Sequence, residues 1–329
     1  MTQSINFPYE YDKYVCDKHN VKDMLSRYGV AIIPNLLNND ECNAMENGMW
    51  NTLGKWSETW NDERIIKSNP STWRNIKHLY PKHGMLIQQW GIGHAQWIWD
   101  LRQNPKCIEV FSTLWNCEPQ DLLCSFDAAA FHMPSEVTNI GWRRKTEFHC
   151  DQSYKRNDFE CVQSWVTAFD IEEGDATLAF MEGSHNYHKQ FADTFETTND
   201  DWHVLKNLEE ELFYLNNGCE HKCIKVPKGS MVLWDSRTIH CGTEPLKGRL
   251  NPKHRCVAYL CYLPRQTATP AAIKKRINAF ETLRTTTHTP NKPKMFPKMP
   301  RTYGAELKHI SPLDPPVLNN IGKKLVGYN

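Results

Sequence analysis

No stretch of this chain approaches the roughly eighteen consecutive apolar residues of a membrane-spanning helix. The amino terminus, Met1 to Tyr14, has neither a charged-then-apolar leader pattern nor a cleavage site, and the carboxyl terminus carries no peroxisomal or prenylation ending. A chain without an address is expected in the cytoplasm. There is no internal repeat. Net charge is nearly absent too, at +1 over 329 residues, and with 40% hydrophobic and 23% charged residues the composition excludes a disordered chain. A second metal-binding knuckle is also missing. Cys219, His221 and Cys223 have the spacing of one, but a structural zinc site draws its ligands from two. The segment therefore reads as a polar turn before a strand, and the other cysteines, several inside apolar runs, read as small reduced hydrophobes.

The small net charge hides an asymmetry. Residues 265–329 hold twelve Lys and Arg against Glu281, Glu306 and Asp314, a balance of +9 that leaves −8 on the first 264 residues. Such a tail can bind nucleic acid or an anionic surface, or it can wrap the acidic body of its own chain. The second expectation is preferred.

Val21, Met24, Leu25 and Tyr28 share one face of a short helix over 19–28; Gly29 ends it, and Val30 to Ile33 follow as a buried strand stopped by Pro34. An amphipathic helix then starts at Asn38 or Asn39, with Cys42, Met45, Met49 and Leu53 three or four apart. Residues 55–92 show little periodicity and are expected to be long loops with short pieces of structure. Helical spacing returns over 94–116, broken at Asn104-Pro105. From Leu122 the chain turns to short β-rich runs divided by Gly, Pro, Asn and Asp, at 122–133, 147–149, 161–171, 177–181, 223–227, 230–235 and 255–263. One helix, 270–283, is expected in the tail. The fold class is mainly β with helical additions: a helical region over 1–121, a jelly-roll sandwich over 122–264, and a basic extension over 265–329 packed on that domain.

The run Glu147-Phe148-His149-Cys150-Asp151-Gln152 carries the strongest chemical signal. On a strand, residues two apart face the same way, so His149 and Asp151 offer an imidazole and a carboxylate to one point. A third ligand can come from His240, just past the apolar strand Met231 to Trp234. Two histidines and one carboxylate on one side of an iron leave open positions for a keto acid and oxygen. Alone, a His-x-Asp pair is weak, and a histidine in an apolar strand is commonly satisfied by a backbone carbonyl. The order strengthens it: His-x-Asp, a β-rich middle, a late histidine, then an arginine opening a strand, able to grip a carboxylate with two parallel hydrogen bonds.

With those pieces in place the chain resembles the phytanoyl-CoA dioxygenase family of Fe(II)/2-oxoglutarate oxygenases, over roughly Met24 to Pro264. Residues 28–42 are similar to the family's opening strand and helix, and Phe148 to Gln152 to its first ligand motif. Ser164 to Asp170 and Phe180 to His185 are similar to its Trp-containing strand and Gly-Ser-His turn, and Trp234 to His240 to its last ligand strand. The resemblance implies a double-stranded β-helix (jelly roll, cupin-like) holding Fe(II) through His149, Asp151 and His240. It implies 2-oxoglutarate and O2 as co-substrates, succinate and CO2 as co-products, and hydroxylation of a C–H bond. Halogenating relatives vacate the carboxylate position, where this chain keeps Asp151. For the co-substrate's arginine, Arg249 fits the family's spacing better. Arg255 opens the strand-like run 256–263 and is preferred. Gly242 stands where many relatives carry a hydroxyl, for which Thr243 is the substitute, and Trp165 either walls the co-substrate pocket or is simply core. His185 belongs to a structural turn.

Gln152, Arg143 and Arg144 flank the ligand strand and are substrate candidates, with solvated loop residues as the plain alternative. The substrate itself, small or carrier-tethered, is not written in these motifs. Two other readings stay open: a catalytically silent jelly-roll binding module, and an oxygenase whose basic tail recruits a nucleic acid or protein. Oligomeric state is equally open.

Overall fold

The computed structural model describes residues 7–140, 147–197 and 200–329. Two open six-stranded sheets form its centre. The first runs in the order Tyr9–Glu10, Glu220–Ile224, Leu178–Glu182, His240–Gly242, His149–Cys150, His203–Val204. The second runs Val30–Ile33, Met231–Asp235, Val162–Thr167, Arg255–Leu260, Ala129–His132, Leu86–Ile87. Every pairing is antiparallel except that of Tyr9–Glu10 with Glu220–Ile224. From Ala129 to Leu260 the chain passes repeatedly from one sheet to the other, so residues distant in sequence meet between them.

Alternation decides which side chains go where. Val30 and Ile32 join Trp165, Phe180, Val232, Trp234 and Val257 in an apolar cluster to which both sheets contribute. Their neighbours Ala31 and Ile33 join Met231, Leu233, Cys256 and Ala258 in a second cluster with Met45, Met49 and Leu53 of the Asn39–Trp56 helix. That helix begins with a capping box: Asn38 accepts from the Glu41 N–H, and Glu41 accepts from the Asn38 N–H. The second sheet is thus buried on both faces, which is why Val162–Thr167 has six buried residues in a row.

The expected helices lie at Val21–Tyr28, Asn39–Trp56, Gln96–Arg102 and Pro105–Trp115. Within 55–92 the short pieces of structure include the 3-10 helix Pro70–Leu79. Two differences stand out. The tail holds two helices among the described residues, Pro270–Glu281 and Asn320–Val326. The segment around Cys219 to Cys223 is a strand over Glu220–Ile224 rather than a turn, with Cys219 and Cys223 buried and His221 against Glu211 at 3.1 Å. Pairing with Leu178–Glu182 on one side and Tyr9–Glu10 on the other overrides its polar composition. No described helix is long and apolar enough to cross a membrane.

Candidate metal centre

His149 pairs directly with His240 across two neighbouring strands, and directly opposed residues of an antiparallel pair share a face. The approach to His240 is held by a turn in which Arg237 makes a bidentate ion pair with Asp235, its Nη2 lying 2.6 Å from Oδ2. The Thr238 hydroxyl donates to the Gly29 carbonyl at 3.0 Å. Gly29 has φ +80°, and a Cβ there would fall 2.6 Å from that hydroxyl, so both conformation and space call for glycine.

His149, Asp151 and His240 each bring one ligand atom to within 4.8 Å of the others. His149 Nε2 lies 3.7 Å from Asp151 Oδ1, and His240 Nε2 lies 3.4 Å from Oδ2. Both rings are anchored from behind. His149 Nδ1 meets the Glu147 carbonyl and His240 Nδ1 the Thr238 carbonyl, each at 2.9 Å. A carbonyl only accepts, so each Nδ1 carries the proton and each Nε2 presents its lone pair to the shared point. Burial, reinforced by His240, holds the His149 pKa down at about 4, which keeps its imidazole neutral. Burial works to raise the Asp151 carboxyl, but His149, His288 and His240 together hold it well below the usual range. Two imidazoles that present their Nε2 atoms and a carboxylate on one side of a point fit a divalent transition metal with open positions.

Arg255 is buried, on the facing sheet. Its Nη1 donates to the Ala176 carbonyl at 2.7 Å, its guanidinium lies 5.3 Å from the Trp165 ring centre, and its Nε has no partner. An orphaned donor in a buried guanidinium is what an absent carboxylate would satisfy. Arg249 is committed elsewhere: Nε lies 3.2 Å from Glu136 Oε1, and Nη1 is paired with Asp175.

The other expected residues divide. Trp165 sits under Arg255. A Cβ at Gly242 would lie 2.7 Å from the Met85 methyl, the far end of a flexible side chain that would have to shift to admit it. The Thr243 hydroxyl is tied to the backbone of Thr177 at 3.3 and 3.4 Å. Gln152 is buried, donating to the carbonyls of Arg156 and Asp158 and accepting from the Ser236 hydroxyl at 2.7 Å. It braces the chain after the ligand strand instead of facing a substrate. His185 bonds the Ser26 carbonyl at 2.9 Å. Arg143 and Arg144 lie outside the described residues.

Sequence reasoning missed three neighbours. Gln163 donates to Asp151 Oδ2 at 2.7 Å. Tyr259, four residues beyond Arg255, hydrogen-bonds with it and feels the charges of Asp127 and Asp151. His288, from the tail, acts electrostatically on both Asp151 and Asp127. A polar residue inside an all-buried strand was a signal for Gln163, and shared strand parity was one for Tyr259; nothing local marks His288.

A family model for phytanoyl-CoA dioxygenase matches residues 25–245. The "Ava biosynthesis cluster protein O" of Aspergillus versicolor is 26% identical over 247 residues, 72% of each chain. Among solved structures, the hypothetical protein JW0805 of Escherichia coli superposes with a TM-score of 0.57 at 13% identity, over 96% of this chain and 85% of that one. The product of GlcNAc Inducible Gene 2 from Candida albicans gives 0.50 at 13%, over 85% and 71%. These two show a shared fold.

Proposed function

Since the chain belongs to the phytanoyl-CoA dioxygenase family, we propose that it is an Fe(II)- and 2-oxoglutarate-dependent oxygenase that hydroxylates a C–H bond of an organic substrate. The two sheets are read as a double-stranded β-helix whose strands come mostly from within the expected 122–264 and are completed by Tyr9–Glu10, Val30–Ile33 and Leu86–Ile87 from the amino-terminal region, with the iron held at its mouth by His149, Asp151 and His240. The observation that carries the reading is the convergence of those three ligand atoms with both Nδ1 positions anchored.

Bound there, iron and 2-oxoglutarate would supply the oxidising power, O2 being reduced as the keto acid becomes succinate and CO2. The protein's own part is positioning. Gln163 fixes the Asp151 carboxylate by donating to Oδ2. Arg255 takes the far carboxylate of the co-substrate, its plane held against Trp165. Tyr259 bonds that guanidinium. Several tail cations face their own chain: Arg276 is buried, Lys308 pairs with Glu63, and Lys294 lies 2.6 Å from Asp201. That favours an extension built onto the domain, and a small or carrier-tethered substrate over a nucleic acid. The name of the Aspergillus versicolor relative refers to a biosynthetic cluster, in keeping with a small molecule.

The test is succinate release when oxygen reaches anaerobic protein loaded with Fe(II) and 2-oxoglutarate. Turnover abolished in His149→Ala and Asp151→Ala supports the reading. Failure of the wild type to bind either Fe(II) or 2-oxoglutarate sinks it and leaves a binding module.

A further inference from the structure

Trp202 is 48% exposed, an unusual position for an indole. The strand that follows it, His203–Val204, pairs with the ligand strand in the register Cys150 to His203 and His149 to Val204. One step further along that register sets Trp202 opposite Asp151, on the face that carries both ligands. The side chains agree: the Trp202 ring meets the His149 ring edge to face, with centroids 5.7 Å apart at 87°. Lys82 Nζ lies 5.7 Å from the indole centre. The residues just before it make exposed ion pairs, Asp200 with Lys155 and Asp201 with Lys294, each at 2.6 Å. Trp202 is therefore a half-open aromatic wall beside the metal ligands, packed on the His149 ring and exposed to solvent. Trp234, whose ring lies 5.4 Å from that of His240, is only 2% exposed and belongs to the cluster between the sheets.

We propose that Trp202 forms the substrate-facing wall of the site, where it would stack a flat apolar part of the substrate, and that with no substrate present its own indole ring is hydroxylated. This rests on the oxygenase reading above. An oxidant generated without a substrate attacks the nearest accessible C–H bond, the side reaction that a filled site prevents. A ring C–H bond breaks and a C–O bond forms with one atom of O2, the hydrogen ending on the new hydroxyl. The other oxygen atom enters succinate as 2-oxoglutarate loses CO2. Half of the electrons that reduce O2 come from the keto acid and half from the C–H bond.

Two readouts test this on the full chain. In the first, protein loaded with Fe(II) and 2-oxoglutarate is exposed to oxygen without substrate, and its peptides are mapped by mass spectrometry. One added oxygen atom on the Trp202 peptide is expected, dependent on 2-oxoglutarate and lost in Trp202→Phe. The second needs no turnover: Mn(II) is added to fluorotryptophan-labelled protein under fluorine NMR. The resonance that Trp202→Phe removes should broaden, and His149→Ala should abolish the broadening. Oxygen on Tyr259 or Trp234 in place of Trp202 would overturn the inference. So would Mn(II) binding that broadens the Trp234 resonance and leaves that of Trp202 sharp. If Mn(II) broadens neither resonance, the metal-site reading itself fails and the inference falls with it.

Discussion

Gln163 reaches across from the second sheet to Asp151, just past the ligand strand of the first, its side-chain amide donating to Oδ2 at 2.7 Å. The bond orients a carboxylate whose two oxygens also face His149 and His240. Partners behind a metal ligand commonly affect affinity by about 10- to 100-fold. Gln163→Ala should weaken Fe(II) binding by about that much, measured by titration under anaerobic conditions. The thermal midpoint should move far less than the affinity. An unchanged Fe(II) affinity would leave Gln163 a packing residue only.

Arg255 and Arg249 should separate cleanly. Arg255 has an orphaned Nε beside Trp165, whereas Arg249 is paired with Glu136 and Asp175. Arg255→Lys should raise the Kd for 2-oxoglutarate at least about 10-fold, because lysine cannot form two parallel hydrogen bonds to a carboxylate. Arg249→Ala should leave that Kd unchanged but cost about 3 kcal/mol of stability, since two partly buried carboxylates lose their cation. Equilibrium binding and urea unfolding on both variants decide it; the reversed pattern would move the co-substrate to Arg249.

What could be read from the residues follows how local the causes are. The Asn39–Trp56 helix was legible because its cap and buried face recur every three or four residues. His149 and Asp151 were legible as a pair because strand parity puts them on one face, although the strand itself is only His149–Cys150. Gln163 stood out only as a polar residue in an apolar run: its strand is buried on both faces and shows no alternation, so nothing local pointed it at Asp151. The roles of Gln152 and Thr243 depend on Ser236 and Thr177, contacts that only the sheet pairing creates. The effect of His288 on Asp151 arises because the Thr286 N–H bonds the Phe126 carbonyl at 2.9 Å, which ties the tail beside Asp127.

His94 should make the fold sensitive to mild acid. Its ring is fully buried, Nε2 meets the Arg284 carbonyl at 2.9 Å, and Trp99 Nε1 donates to Nδ1 at 3.5 Å. Phe126, Phe280 and the Arg102 guanidinium complete its surroundings. Burial first, and Arg102 second, lower its pKa to about 3. The unfolded chain takes up this proton near pH 6.5, while the native state refuses it until about pH 3. Stability contributed by the neutral ring is thus complete above about pH 6.5 and falls as pH drops toward 3, by at most about 1.4 kcal/mol per unit. His94→Gln keeps a donor and an acceptor but cannot titrate. Urea midpoints measured between about pH 7 and 5 should fall less steeply in the variant. Equal slopes would show that His94 does not govern this window.

Arg276 makes the strongest case that the basic extension is part of the folded body. Its guanidinium is completely buried and donates to four carbonyls: Cys124 at 2.6 Å, Leu325 at 2.8 Å, Pro290 at 3.0 Å and Val326 at 3.1 Å. One side chain thus joins the strand Leu122–Cys124, the tail loop and the final helix Asn320–Val326. Burial lowers its pKa to about 10, still high enough to stay charged at neutral pH. Arg276→Met would remove the cation yet leave four buried acceptors unpaired, at roughly 1–3 kcal/mol each before relaxation or water entry. The variant should unfold at a markedly lower urea concentration than wild type. Lys298→Ala, which removes an exposed tail charge, serves as the control and should leave the midpoint unchanged. Arg276→Lys should recover little, because an ammonium on a flexible stem cannot reach four carbonyls set around a planar fork. Wild-type stability in Arg276→Met would mean that the extension is held by its apolar contacts alone, with Leu325 and Val326 at 0% exposure as the residues to truncate next.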